Sequence, residues 1–282
     1  MRKVACFLLL ALILLSGCVQ VPIQRTEAKD VKIELKVDTT NIQAGGKVGV
    51  SIIVENYADF EIRNITARIY GLPDWKGELE KIENYSGILY PETGFEFNWQ
   101  LKAPSDVKYK KYYQVFADVK YNAYNKKRVM ITGISYDYYK RTGSGSGITS
   151  SSSLGGPIEI DFVPYQSQLI AYEDKLPFKF AVVISNKGRG KPCADYFSLN
   201  CSKEKLNKVL FNFTKETSGI EITCEKKGEV NLIKAGSYAH FDCIGNLTNV
   251  KEVSTQIIEF LVNYTYMETL TSPSIGVEPV LL

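Results

Sequence analysis

The sequence predicts an all-β protein, built as two antiparallel β-sandwiches in tandem with about seven strands each. Three observations predict it. Apolar and polar residues alternate with period two through much of the chain. Tyrosine is frequent, at 18 of 282 residues, while helix-favouring alanine is sparse, a bias that favours strands. Clusters of Gly, Pro, Asn and Asp interrupt the alternation at short intervals, as hairpin turns do.

The strands follow in order. Val31, Ile33, Leu35 and Val37 alternate with Lys32, Glu34 and Lys36. Val48, Val50, Ile52 and Val54 form a second run ending at Glu55-Asn56, and Val115, Ala117, Val119 and Tyr121 a later one opposed by Phe116, Asp118 and Lys120. Such alternation reads as strands with one face on a core. Turn signals separate them at Gly45-Gly46, Gly71-Leu72-Pro73-Asp74 and Pro91-Glu92-Thr93-Gly94. Beyond residue 156 the plan returns. Ile158, Ile160 and Phe162 open it, and Phe178, Phe180, Val182 and Ile184 lead to Ser185-Asn186 as the earlier run leads to Asn56. Leu232-Ile233-Lys234-Ala235-Gly236 with Phe241 matches Leu89 to Gly94 with Phe97, and Val262-Asn263-Tyr264 matches Val119-Lys120-Tyr121. Three correspondences in the same order predict a duplicated unit. Between the halves, residues 141–156 are rich in Gly and Ser, the composition of a flexible linker. The expected division is therefore 30–140 for the first sandwich, 141–156 for a linker and 157–282 for the second.

The N-terminus carries a different kind of signal. Arg2 and Lys3 precede an apolar run from Val4 to Leu15. At about 12 residues this run is shorter than the roughly 20 a spanning helix needs, and with its small-residue end it reads as a secretory signal. Leu15-Ser16-Gly17-Cys18 resembles the lipobox of prokaryotic lipoproteins. That resemblance implies cleavage before Cys18, residues 1–17 as signal peptide, Cys18 as the lipid-bearing first residue and 18–29 as a tether. It places the rest outside the cell, held to the membrane by its lipid.

Four cysteines remain after Cys6 and Cys18: Cys193, Cys201, Cys224 and Cys243. An even number in an exported domain reads as two disulfides. Of the three pairings, Cys193–Cys201 and Cys224–Cys243 are favoured. The first two flank a short segment. Cys224 extends the inward set Ile220 and Ile222, and Cys243 extends Phe241. Without paired C-x-x-C spacing the four make a poor zinc match. Six Asn-x-Ser/Thr triplets, at Asn64, Asn84, Asn200, Asn212, Asn246 and Asn263, are candidate glycan acceptors in an exported protein.

Catalytic constellations are sparse. His240 is the single histidine and falls out of phase with Phe241 and Cys243, so it is expected on a solvent face rather than beside a nucleophile. Glu78, Glu80 and Glu83 beside Trp75 have the composition of a sugar site but read as a solvated charged loop. Asn186-Lys187-Gly188-Arg189-Gly190-Lys191 lacks phosphate-loop spacing, and Pro192 stands where Ser or Thr would follow the lysine. The expectation is a non-catalytic protein without cofactor or metal. A net charge of +3, from 34 basic and 31 interspersed acidic residues, does not form the clustered patch of a nucleic-acid surface. Tyr109, Tyr112, Tyr113, Tyr121, Tyr124, Tyr136, Tyr138 and Tyr139 are the strongest hint of a binding face. Lys108, Lys110 and Lys111 would make it basic and suited to an anionic surface or glycan.

The strand–Asn run, the Leu-x-Pro-x-x-Gly turn at Leu89–Gly94 and the late Val-x-Tyr strand at Val119–Tyr121 resemble the immunoglobulin-like adhesion domains of archaeal surface proteins, the CARDB type. The resemblance covers most of both halves. It implies immunoglobulin-like sandwiches in a surface, adhesion or accessory module whose partners are envelope protein or glycan, with no shared catalytic residues. An accessory lipoprotein of a transporter or hydrolase complex, capturing sugar or peptide, is the alternative.

Overall fold

The computed structural model describes residues 30–79, 81–143, 145, 147–150, 153–196 and 201–280. The expected signal peptide, the tether with Cys18, Glu80 and Asn200 lie outside the described residues. The first half runs through β1 (Val31–Val37), β2 (Asn41–Gln43), β3 (Lys47–Asn56), β4 (Ile62–Tyr70), β5 (Lys76–Gly77), β6 (Glu83–Leu89), β7 (Thr93–Lys102) and β8 (Lys111–Tyr113). β9 (Phe116–Ser135), 20 residues long, carries the chain into the second lobe. There follow α1 (Tyr136–Thr142), β10 (Ile148–Ser150), β11 (Ile158–Pro164), β12 (Ile170–Ala171), β13 (Lys175–Asn186), β14 (Lys191–Cys193), β15 (Lys208–Lys215), β16 (Ile220–Cys224) and β17 (Gly228–Asn231). A single turn α2 (Ile233–Gly236), with positive φ at Lys234 and Ala235, leads to β18 (Tyr238–Thr248), the 19-residue β19 (Val253–Thr271) and β20 (Ile275–Glu278).

The all-β sandwich architecture follows the alternation. One four-stranded sheet, β1-β3-β7-β5, covers the first lobe, and another, β11-β13-β18-β16, covers the second. Both lie on one face of a nine-stranded sheet, whose path is β17-β15-β19-β9-β4-β6 with β10, β12 and β14 attached. The burial phase explains the shared face: the odd-numbered residues of β9, from Ala117 to Ile131, are buried through both lobes, as are the even-numbered residues of β19 from Ile258 to Tyr266. A further sheet, β2-β20-β8, closes the far end of the first lobe.

The lobes repeat in register as well as in order. Val31 lies opposite Asn56 as Ile158 lies opposite Asn186, and Ile52 opposite Phe97 as Val182 opposite Phe241. Each asparagine ties down the loop after its strand in the same way. Asn56 donates to the Phe60 carbonyl and accepts from the Ala58 amide, while Asn186 donates to the Gly190 carbonyl and accepts from the Gly188 amide. The equivalent late strands, β9 and β19, pair with each other over 19 residue pairs with Asn122 opposite Thr265. Superposing Tyr121 on Tyr264 puts a pseudo-two-fold axis through that central pair.

The expected linker is a correction. Residues 136–142 are helical, capped by Ser135, whose hydroxyl accepts from the Tyr138 amide. Ile148–Ser150 pair with Val129–Ile131 of β9. The buried Asn125 side chain then holds the next stretch, donating to the Gly155 and Ile158 carbonyls and accepting from the Ser153 hydroxyl and the Leu154 amide. At the end of the stretch Gly155 and Gly156 are both at positive φ, and a Cβ on Gly156 would meet the Phe60 ring at 2.7 Å. The division at 140 and 157 is also crossed in space, because β9 enters the second lobe and β19 returns to the first.

Candidate functional site

A cleft lies at the waist, where the edge strand β1 faces the loop between β13 and β14. A cleft of about 590 Å³ opens there between Asp30, Val31, Lys32 and Glu34 on one side, Lys187 to Arg189 on the other, and Tyr121, Tyr266 and Glu268 at its base. The sequence places each group simply. Tyr121 and Tyr266 are in-phase residues of β9 and β19 facing one another across the ladder. Their rings are 5.7 Å apart. Tyr266 is fixed from above, its hydroxyl donating to Asn186 Oδ1 and accepting from the Gly190 amide. A Cβ on Gly188 would come within 2.3 Å of that hydroxyl, so glycine is required there.

The two carboxyls are electrostatically strained. Burial pushes Asp30 up, the Val31 amide opposes this, and Glu159 raises it further. Burial likewise pushes Glu268 up, Asp30 adds to the rise, and the Arg189 guanidinium opposes it. Burial holds Tyr121 and Tyr264 well above the ordinary phenol range. The Tyr264 hydroxyl lies near the Ile158 backbone but makes no hydrogen bond of good geometry among the described residues. The cleft is thus an acidic, tyrosine-floored slot with a basic rim, suited to groups that donate hydrogen bonds. Among the described residues no three His, Cys, Asp or Glu side chains converge on a point.

The predicted disulfides form as favoured. Cys193–Cys201 pins the segment after β14, with Cα atoms 6.0 Å apart. Asp195 lies over the pseudo-axis: Thr265, fully buried, donates through Oγ1 to the Asp195 carbonyl and to Asn122 Oδ1. Cys224–Cys243 joins directly opposed residues of β16 and β18, so it staples two strands of one sheet. Two disulfides fit an oxidising, extracellular environment. No helix among the described residues is long and apolar enough to cross a membrane.

Other expectations are redistributed. Asn64, Asn84 and Asn212 are exposed and Asn263 half-buried, and all four sit on the outer face of the nine-stranded sheet, out of phase with the core. Asn246 is half-buried on β18. His240 is exposed on β18. Trp75 is buried edge-on against Tyr113, at 5.6 Å between centroids, and is not available to stack on a sugar. Glu78 and Glu83 both pair with Lys81.

The tyrosines do not form one face. Tyr109 and Tyr112 are exposed at the far end of the first lobe, with Lys110 paired to Glu278. Tyr121 is in the waist floor and Tyr124 is bonded to Glu61. Tyr136, Tyr138 and Tyr139 are on α1 at the far end of the second lobe. Period-two reasoning could not unite residues set by three separate elements. It also missed Asp30, Arg189, Tyr266 and Glu268. Their signal is faint: aligning the late strands puts Glu268 where Asn125 stands, an exchange of an amide for a carboxylate at a buried hinge of the repeat.

The fold and site define a class: a disulfide-pinned, all-β protein of two sandwiches fused through one sheet. No family model and no curated protein matches the chain. Among solved structures it is similar to red sea bream transglutaminase, at 7% identity and a TM-score of 0.22, over 89% of this chain and 31% of that one. It is also similar to the secreted serine protease VesC from Vibrio cholerae, at 8% identity and a TM-score of 0.22, over 90% of this chain and 52% of that one. The chain therefore spans about a third and about half of those structures' own length. Likeness at this level carries no argument about activity.

Proposed function

We propose that the chain is a non-catalytic, lipid-anchored lipoprotein of the outer cell surface, acting as a binding, adhesion or structural module of the envelope. The observation that supports this best is the rigid body itself. Two sandwiches share β9 and β19, carry two disulfides, and present four Asn-x-Ser/Thr acceptors on one outer face. A body of this kind holds contacts at fixed separation. Cys18 supplies the anchor, and the envelope partner is protein or glycan. The resemblance to archaeal CARDB-type domains points the same way.

Expression of Cys18→Ser in the native host tests the anchor. The substituted protein should move from the membrane to the soluble fraction, while the parent should carry lipid at Cys18 and added mass at the exposed Asn64, Asn84 and Asn212 by peptide mass spectrometry. A Cys18→Ser protein that stays wholly membrane-bound sinks the reading. The second reading, an accessory lipoprotein that captures sugar or peptide for a transporter or hydrolase complex, is favoured by the waist cleft alone.

A further inference from the structure

The waist cleft gathers polar groups that nothing around them answers. At its base the Tyr121 side chain is 1% exposed and lines the cleft, yet its hydroxyl has no hydrogen-bond partner among the described residues. Glu268 beside it likewise has neither hydrogen bond nor salt bridge among those residues. Asp30 uses Oδ1 on the Val31 amide at 2.7 Å. Burial raises both carboxyls, and the charge of Asp30 raises Glu268 further. On the opposite wall Lys187 and Arg189 are exposed, and neither closes a salt bridge among the described residues. Glu34 differs, because Lys32 and Lys36 pair with it at 2.8 and 3.2 Å. The spare groups are therefore two carboxyls and a phenol at the base and two cations at the rim. The pseudo-axis adds what the base is shaped to hold. Glu268 stands on β19 where Asn125 stands on β9, and Asn125 accepts from the Ser153 hydroxyl and the Leu154 amide. The position is one that takes hydrogen-bond donors, and at Glu268 it carries a full negative charge as well.

We propose that the waist cleft binds a zwitterionic amine, a free amino acid or a short peptide, with its ammonium group between Asp30, Glu268 and the Tyr121 hydroxyl and its carboxylate toward Lys187 and Arg189. The charge pattern selects this chemistry. An ammonium brings three donors and no acceptor, so it serves both carboxylates and the phenol oxygen at once, and its positive charge relieves the repulsion between Asp30 and Glu268. A neutral sugar supplies donors but leaves that repulsion standing. An anion meets the two carboxylates, and a polyamine sets its second charge against the cations of the rim. A ligand of opposite ends meets complementary charge at both. The cleft, at about 590 Å³, lies in the range of roughly 300–1,000 Å³ usual for small-molecule sites. Tyr266 is held in place by its bonds to Asn186 and Gly190, which keeps the floor rigid before any ligand arrives. The inference rests on the capture reading given above and narrows it to one ligand chemistry; it does not depend on lipid at Cys18.

Calorimetric titration of the full mature chain tests it, with alanine, dialanine, N-acetyl-dialanine, dialanine amide and glucose as probes. Alanine or dialanine should saturate a single site, and the tighter of the two names the source as free amino acid or peptide. Acetylation, which removes the ammonium charge, should weaken dialanine by at least about tenfold. Amidation, which removes the carboxylate at the exposed rim, should weaken it by about two- to fivefold. Glu268→Gln, which keeps the shape and an acceptor but not the charge, should weaken dialanine by about tenfold. Arg189→Ala, at an exposed loop position, should weaken dialanine and leave its amide unchanged, a difference that a disturbed fold would not produce. Silence toward alanine and dialanine up to millimolar concentration, equal binding of the acetylated probe, or parental affinity in Glu268→Gln overturns the proposal. Binding of glucose alone also overturns it while keeping the capture reading, so the two fail separately.

Discussion

The two lobes satisfy one topology with opposite side-chain choices. In the first, Val50 lies opposite Trp99; at the equivalent positions of the second, Phe180 lies opposite Cys243. Large and small have changed strands between the lobes. The same holds at the waist. Tyr266 reaches into the second loop over Gly188 and Gly190, whereas the first lobe has Ala123 on the strand and Phe60 in the loop. The second lobe then adds what the first lacks, the Cys224–Cys243 staple, and its rings gather round Phe260, which meets Phe162, Phe180 and Phe211 at about 6 Å, where those of the first run in series through Tyr85, Phe95, Phe97 and Trp99. Topology is thus set by alternation and turn positions, and the packing within it is free to drift as long as paired positions drift together.

The lobes differ but should not unfold separately, because each contains half of the other's longest strand. The sharpest way to break the comparison is Ala123→Pro. Ala123 is fully buried and pairs with Tyr264 in the middle of the shared sheet. Proline there removes a ladder hydrogen bond in a central strand, at a cost of about 3 kcal/mol or more. Urea unfolding followed by tryptophan fluorescence and far-UV circular dichroism should show both probes falling together. Trp75 and Trp99, the only two tryptophans, both report the first lobe, so a fluorescence midpoint left at the parental value would show that the first lobe stands without the shared sheet.

A smaller effect is expected from Cys224→Ala with Cys243→Ala. That bridge closes a separation of 19 residues, worth about 3 kcal/mol in the chain-entropy account. Although the bridge is confined to the second lobe, the tryptophans of the first should report the same lowered midpoint. Two resolved transitions would mean the lobes are coupled more weakly than 19 ladder pairs suggest.

The sequence made most of this comparison legible. Strand phase was readable because burial on one face forces period two, and Phe97 with Phe241, or Asn56 with Asn186, could be matched because each sits at a fixed offset from a turn. The fusion of the lobes was not. The odd-numbered residues of β9 are buried from Ala117 to Ile131, yet the polar Asn125 and Lys127 interrupt the apolar series and a Gly/Ser-rich stretch follows it, and composition alone cannot distinguish glycines that confer freedom from glycines that permit an Asn125 side chain to grip the backbone. The waist cleft was hidden for a related reason. Asp30, Arg189 and Glu268 come together only through the pseudo-axis, and Trp75 looked available because its partner Tyr113 lies on another strand.

The smallest predicted effect sharpens the comparison at the tyrosines. Tyr121 and Tyr264 are equivalent and both fully buried, so both should resist ionisation until the protein unfolds. Tyr124 has no tyrosine counterpart, since Met267 stands at its equivalent position. Its hydroxyl donates to Glu61 at 3.0 Å, and burial, followed by that hydrogen bond, pushes it up to about 12. A phenol raised in the folded state favours folding in its neutral form. The contribution is therefore complete below the ordinary phenol value near 10 and disappears as pH rises through about 12. Tyr124→Phe should cost under about 1 kcal/mol at neutral pH, because the pair is partly open to solvent. The difference from the parent should shrink steadily on the alkaline side. Absorbance at the phenolate band, followed beside denaturant midpoints, would separate the cases: a deficit that stays constant to high pH would assign Tyr124 to packing against Phe60, 5.3 Å away, and not to the bond with Glu61.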